Sequence, residues 1–307
     1  MFNLPNVWTH CLFAEDLCRE LKENHLVETS SGALNFGAQG PDPFFYHNFW
    51  PFKADQGVSE IGMKLHTEKC GPFLLDMIEN GKNAKNQQQA FILGYISHHM
   101  LDRNTHPYIH YHSGYEGNKH QELEVIIDTC MLERLRGLKS WKNPVYQKLS
   151  LQDSSHSILS MLRSLILSHF PGLDSRLNGD YIKKSYQDMR LAQRILFDPV
   201  GWKNRLLGSF VSSYSHQPLK DRKDYLNDTK RTWKHSATLQ ESNQSFIELY
   251  EKAFSETAAL WRSILNYWQT SSKVIHASIT DHLGDISYDT GLPLREEKVN
   301  QFSEPIV

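Results

Sequence analysis

His98, Asp102 and His106, in the segment SHHMLDRNTHP, are the residues whose types and spacing point most directly to chemistry. Residues four apart on an α-helix lie one above the other, and two such steps drift only about 80° around the axis. A carboxylate then stands between two imidazoles on one helix face. That order suits an aspartate shared by two metal ions, each with its own histidine, at the ~3.5–4 Å separation of two-metal phosphoesterases. Phe91, Ile92, Leu93, Tyr95, Ile96, Met100 and Leu101 surround the three residues in sequence, so this face is expected to be buried rather than solvated. Buried His and Asp without partners are costly, which favours metal ligation. The adjacent His99 points about 100° away and reads as structural.

His120 and Glu124, in NKHQELEVIIDT, repeat the four-residue spacing. Alone, HxxxE is common on solvated helices; beside the first constellation it completes a nitrogen-and-oxygen donor set that suits zinc, with manganese or iron also compatible. His10 shares a helix face with Ala14, Leu17 and Leu21 and points inward, as a core histidine or as a ligand. His66 stands in LHTEKCGPFLLDM, at or just before a helix start, with Glu68 as a partner for it or as a charge favouring the helix N-terminus. Asp42 lies in GAQGPDPFF between two prolines, where an Asx turn and a functional carboxylate both fit. Ten of the sixteen histidines precede residue 121, a skew toward the part of the chain that holds these motifs.

The elements that position these residues read as helices, because strand alternation and hairpin turns are scarce. Val7, Cys11, Ala14, Cys18 and Leu21 mark one helix to about residue 21, started by Pro5 and Asn6. Further helices are predicted near 67–80, 84–103 with Pro107 ending the run, 118–136, 155–169, 180–196, 201–214 and 240–270. In the last, Ile247, Tyr250, Phe254, Ala258, Trp261, Leu265 and Trp268 form a core stripe. FGAQGPDPFFYHNFWP is predicted to be an ordered loop whose Phe44, Phe45, Tyr46 and Trp50, with Trp8, either wall a substrate cleft or plug the space beneath it. One all-helical domain over 1–280, followed by a loosely packed tail over 281–307, is the simplest organisation. A net charge of -2 gives no general attraction to nucleic acid or anionic lipid. Residues 1–6 lack the pattern of a secretory signal and no apolar run has the length of a membrane span, so a cytoplasmic location is expected. Four widely spaced cysteines without a CxxC read as buried thiols.

Taken together, His10, Asp42, His66, HxxxDxxxH from His98 to His106 and HxxxExxxDT from His120 to Thr129 resemble the zinc-dependent phospholipase C family over about residues 5–130. That family includes the catalytic part of glycosylphosphatidylinositol phospholipase D, and the S1/P1 nucleases share its fold. The resemblance implies an all-α, multi-helix bundle with a metal cluster in its core, holding two or three zinc ions. It makes Asp102 the bridging ligand, with His66 and His98 completing one site, His106, His120 and Glu124 a second, and His10 part of a third. Asp42 becomes a ligand or the base that orients the attacking water. Secreted bacterial members use a processed N-terminal tryptophan as a zinc ligand, whereas here Met1 begins the chain and Trp8 is internal. A water, Glu15 or the chain terminus would have to substitute. The Asp102–His106 spacing also departs from the secreted enzymes, which makes His110 an alternative ligand.

The implied activity is hydrolysis of a phosphodiester in a phospholipid or a soluble headgroup derivative, by metal-activated water, with Phe44, Phe45, Tyr46 and Trp50 lining the substrate site. A nuclease or phosphomonoesterase on the same fold, for which alone nucleic acid would be a partner, and a non-catalytic zinc-binding protein are the rival readings.

Overall fold

A computed structural model of the chain describes residues 7–50, 52–150, 155–173, 177 and 179–307. The architecture is all-α, with β-pairing among the described residues limited to Trp233–Lys234 against Glu241–Ser242 and an isolated bridge between Ile286 and Pro293. The helices are α1 (Trp8–Glu20), α2 (Asn24–Gly37), α3 (Val58–Thr67), α4 (Cys70–Gly81), α5 (Asn86–Ser113), α6 (Lys119–Arg136), α7 (Ser155–His169), α8 (Tyr181–Leu196), α9 (Trp202–Leu207), α10 (Ser209–Ser212), α11 (Phe246–Thr270) and α12 (Lys273–Leu283). No helix among the described residues is long and apolar enough to cross a membrane.

The axis of the fold is α5. Ala90 through Asp102 are buried without interruption, so α5 has no solvated face along this stretch and is covered on all sides. The sequence predicts its end at Pro107, but the helix runs on to Ser113. Proline removes one backbone donor, the one that would reach the Arg103 carbonyl, and its fixed φ is still helical. Continuation keeps His98, Asp102, His106 and His110 on a single ladder of four-residue steps.

α2 lies against α5 at backbone distance. A Cβ added at Gly94 would stand 2.3 Å from the Leu34 carbonyl oxygen, and one added at Gly37 would stand 2.1 Å from that of Phe91. Side chains at either position would separate the helices. α11 packs on α1 and α5, with Tyr250, Ala258, Trp261 and Trp268 of the expected stripe buried and Ile247, Phe254 and Leu265 half-buried.

The start of α1 is held from 120 residues away. Its N-terminal Val7 has no local side-chain cap. Instead the buried Asp128 carboxylate on α6 accepts the N–H groups of Val7, Trp8 and Thr9 at 2.9, 2.8 and 2.7 Å. His216 Nε2 lies 3.2 Å from the same group. Burial pushes the Asp128 carboxyl up, but these hydrogen bonds outweigh it and hold the group below its ordinary pKa. A folded pKa below the unfolded one contributes stability above the unfolded value, lost as pH falls through the folded one. Asp128→Asn should therefore cost about 2–3 kcal/mol near neutral pH, as for hydrogen bonds to a charged acceptor. In urea denaturation that difference should shrink below about pH 4; a variant as stable as the parent at pH 7 would remove Asp128 as the cap. Pro5 and Asn6, expected to begin this helix, lie outside the described residues.

Helices α2, α3 and α12 were not anticipated. α2 carries Ser and Gly positions and is kinked at Ser30, where φ is -139°. The predicted 201–214 helix is divided into α9 and α10 at Gly208, whose φ is +52°. The segment 281–307, expected as a loosely packed tail, departs most. Its Tyr288 is 1% exposed, Arg103 Nη1 donates to the Leu283 carbonyl at 3.0 Å, and the Glu304 and Ile306 N–H groups donate to the Tyr111 and His112 carbonyls at 2.7 and 2.8 Å. Its irregular backbone finds partners along α5, which composition does not reveal.

Candidate metal centre

Eight residues chosen from the sequence converge on one cluster. His98, Asp102 and His106 come from α5, His120 and Glu124 from α6, His10 from α1 and His66 from the last turn of α3. Asp42 opens the 3-10 turn Asp42–Tyr46. All are buried except His120, which is half-buried.

Imidazoles and carboxylates alternate through the cluster. Asp102 Oδ2 lies 2.9 Å from His98 Nε2, while its Oδ1 lies 3.3 Å from His10 Nε2 and 3.5 Å from His106 Nε2. Asp42 Oδ1 is 3.2 Å from His66 Nε2 and 3.8 Å from His98 Nε2. Glu124 Oε1 is 3.2 Å from His120 Nε2 and 3.6 Å from His106 Nε2. Asp102 thus faces three histidines through both oxygens, as a shared ligand would.

The backbone selects which nitrogen faces inward. His66 Nδ1 is 2.7 Å from the Gly62 carbonyl and His98 Nδ1 is 3.1 Å from the Ala38 carbonyl. A carbonyl only accepts, so each Nδ1 carries a proton, and Nε2 is the nitrogen turned toward a carboxylate. An imidazole nitrogen facing a carboxylate needs a cation between them, a proton or a metal ion. Among the described residues, the ion-pair partners of Asp42, Asp102 and Glu124 are all histidines. His98 Nε2, His10 Nδ1 and Glu124 Oε2 are buried without a hydrogen-bond partner. Imidazole nitrogens interleaved with carboxylates whose ion-pair partners among the described residues are all histidines fit a zinc-type cation.

Electrostatics agree. Burial pushes the Asp102 carboxyl up, but His106, His98 and His10 hold it well below the usual carboxylate range, and His120 and His106 bring Glu124 down to about 2. Burial lowers His10, His66 and His106, yet the carboxylates beside them raise all three above their ordinary value. The centre attracts positive charge, and a metal would compete with protons for these nitrogens.

Two glycines make the geometry possible. The approach of α2 at Gly94 brings the Ala38 carbonyl to His98. Gly40, at φ +51°, leaves room for the imidazole itself: a Cβ there would stand 2.2 Å from His98 Cδ2.

A cavity of about 220 Å³ opens on the cluster, bordered by His10, Asp42, His66, His106, His120 and Glu124, and on its apolar side by Phe45, Met63 and Tyr115. Of the four aromatics expected to line it, Phe45 alone does so. Residues three apart eclipse in a 3-10 turn, which sets Phe45 on the side of Asp42. Phe44 and Tyr46 turn into the core, where Tyr46 Oη accepts from Gln193 Nε2 at 2.8 Å, and Trp50 stacks on Phe49 at the surface. Trp8 is buried. Glu15 is taken by Lys148 Nζ at 2.6 Å, and Glu68 pairs with Lys64 on the surface. His99 serves structure, with Nε2 3.0 Å from the Ile286 carbonyl and burial lowering its pKa to about 3.

A description of this chain as a zinc dependent phospholipase C comes from a family model that matches residues 9–175, more than half of its 307 residues. The chain belongs to the zinc-dependent phospholipase C family. The match extends past the motifs at 10–129 and takes in α7. No curated protein and no solved structure matches the chain. In this family member two further donors border the cavity that the motifs did not single out together: His110, one turn beyond His106, and Asp289. With His106 they form a fourth group of donor atoms lying within 4.8 Å of one another. Asp289 escaped notice because SYDTG resembles an ordinary turn and carries no spacing to a second donor.

Proposed function

We propose that this chain is a zinc-dependent phosphodiester hydrolase of the phospholipase C type, acting on a phospholipid or a headgroup-derived phosphodiester. The observation that carries the reading is the set of Nε2 atoms of His66 and His98 turned toward Asp42 and Asp102 at 2.9–3.8 Å. His66, His98, Asp42 and Asp102 would hold one ion, His106, His120 and Glu124 a second, and His10 with Asp102 a third. Bound zinc supplies Lewis acidity toward phosphate oxygens and lowers the pKa of water toward neutrality.

The chain's own residues supply the rest. Asp42 borders the cavity and can orient the attacking water and accept its proton, in line with phosphorus and opposite the leaving group. Phe45, Met63 and Tyr115 give the cavity an apolar side against which a headgroup can rest. At about 220 Å³ the space is below the ~300–1,000 Å³ of sites for drug-sized ligands, so it admits a headgroup diester while acyl chains stay outside.

The test is product analysis with zinc-loaded protein on short-chain phosphatidylcholine, bis(4-nitrophenyl) phosphate, 4-nitrophenyl phosphate and single-stranded DNA. Diacylglycerol and phosphocholine are the expected products. Cleavage confined to DNA or to the monoester would replace the reading with one of its rivals, and zinc-loaded protein inert on all four would leave a zinc-binding protein.

A further inference from the structure

The C-terminal segment, outside the family match, enters the metal centre by a route the motifs do not contain. Pro107 supplies no N–H for the Arg103 carbonyl, and Gly291 occupies the space against it: a Cβ at Gly291 would stand 2.1 Å from that oxygen. The Tyr288 N–H donates to the His66 carbonyl at 3.1 Å, and the Tyr288 ring packs against His99 and His66 with centroids 4.5 and 5.0 Å away. Residues 283–291 are thereby registered on both α5 and the end of α3, and the residue delivered to the cavity is Asp289.

Asp289 Oδ1 lies 3.5 Å from His106 Nδ1, on the side of the ring opposite Asp102 and Glu124. Of the other three buried histidines of the cluster, two have Nδ1 on a backbone carbonyl, Gly62 for His66 and Ala38 for His98, and His10 Nδ1 has no hydrogen-bond partner. His106 Nδ1 is buried with no hydrogen bond to such a group among the described residues, and Asp289 is the carboxylate that faces it. Histidine ligands characteristically give their outer N–H to an oxygen, which fixes the tautomer and strengthens the inner nitrogen as a donor.

We infer that Asp289 is a positioning residue for His106: it takes the Nδ1–H and so presents Nε2 to the second metal. The inference rests on the metal reading above.

Zinc affinity, measured by competition with a chromophoric chelator, and the visible spectrum of the cobalt(II)-loaded protein should be compared for wild type, Asp289→Asn, Asp289→Glu and Asp285→Asn. The last loosens the same segment at its Gly71 N–H contact, 2.9 Å long, without touching His106. Asp289→Asn is expected to keep full zinc stoichiometry at saturation, to lose about 10–100-fold in affinity at one site, and to shift the cobalt spectrum. Asp289→Glu should recover most of the affinity, and Asp285→Asn should leave the spectrum unchanged. Wild-type affinity and spectrum in Asp289→Asn would overturn the inference alone, as would the same loss in Asp285→Asn. Loss of a whole zinc equivalent at saturation in Asp289→Asn would make the carboxylate a ligand and overturn positioning. Wild type without zinc would remove the metal reading with it. Should Asp289→Asn fail to fold, the histidine ¹⁵N shifts of zinc-loaded wild type decide: a protonated Nδ1 on His106 supports the inference, and a protonated Nε2 overturns it.

Discussion

Asp102→Asn should purify with at least one zinc equivalent fewer than the parent and lose on the order of 10³-fold in phosphodiester turnover. Asp102 uses both oxygens, Oδ2 toward His98 and Oδ1 toward His10 and His106. Asparagine keeps the shape but has one acceptor oxygen and no charge, so an ion between Asp102 and these rings loses both a ligand and half its charge compensation. Metals contribute several kcal/mol of transition-state stabilisation, and each ~1.4 kcal/mol is tenfold in rate. Metal analysis beside activity checks this, and a chelator supplies an internal control. A ligand that binds only the folded state stabilises it by mass action. The parent's melting temperature should therefore fall on chelation, while that of Asp102→Asn, with less metal to lose, should fall less. Equal zinc content in the two proteins would dismantle the shared-ligand assignment.

The second large effect lies outside the donor set. Gly94→Val should destabilise the protein by about 3 kcal/mol or more and empty the site containing His98. Its Cβ would meet the Leu34 carbonyl oxygen at 2.3 Å and the Ala38 nitrogen at 2.7 Å, both backbone atoms of α2 and its cap. α2 cannot shift cheaply, because Gly37 is in similar contact with Phe91. Moving it also withdraws the Ala38 carbonyl that orients His98. Thermal unfolding and zinc content should fall together; a variant that melts with the parent and keeps its zinc would show that the close helix contact does not position the ligand.

Much of the centre was legible because helical geometry is local. His98, Asp102 and His106 share a face by virtue of 3.6 residues per turn, and so do His120 and Glu124. Pro107 misled the reading of α5: proline statistics speak for a stop, but a buried helix that loses one hydrogen bond can continue when neighbours cover the freed carbonyl, as Gly291 covers that of Arg103. The aromatic loop misled in another way. Composition supplies four candidates for a cleft wall, but a 3-10 turn aims consecutive side chains in different directions, so Phe45 reaches the cavity while Phe44 and Tyr46 enter the core.

The sequence by itself determined the helical class, the residue types of the candidate centre, the pairs one turn apart and, through their joint pattern, the family. Each follows from side-chain chemistry and a periodicity measured within a dozen residues. Only the tertiary structure decided which nitrogen of His98 faces inward, since that choice depends on the Ala38 carbonyl brought alongside by the close approach of α2, whereas the Gly62 carbonyl against His66 lies one turn back in the same helix. It also decided that Asp289 stands against His106, 183 residues away in the chain, because the contact is made by a backbone path over Arg103 and His66 that no local pattern encodes.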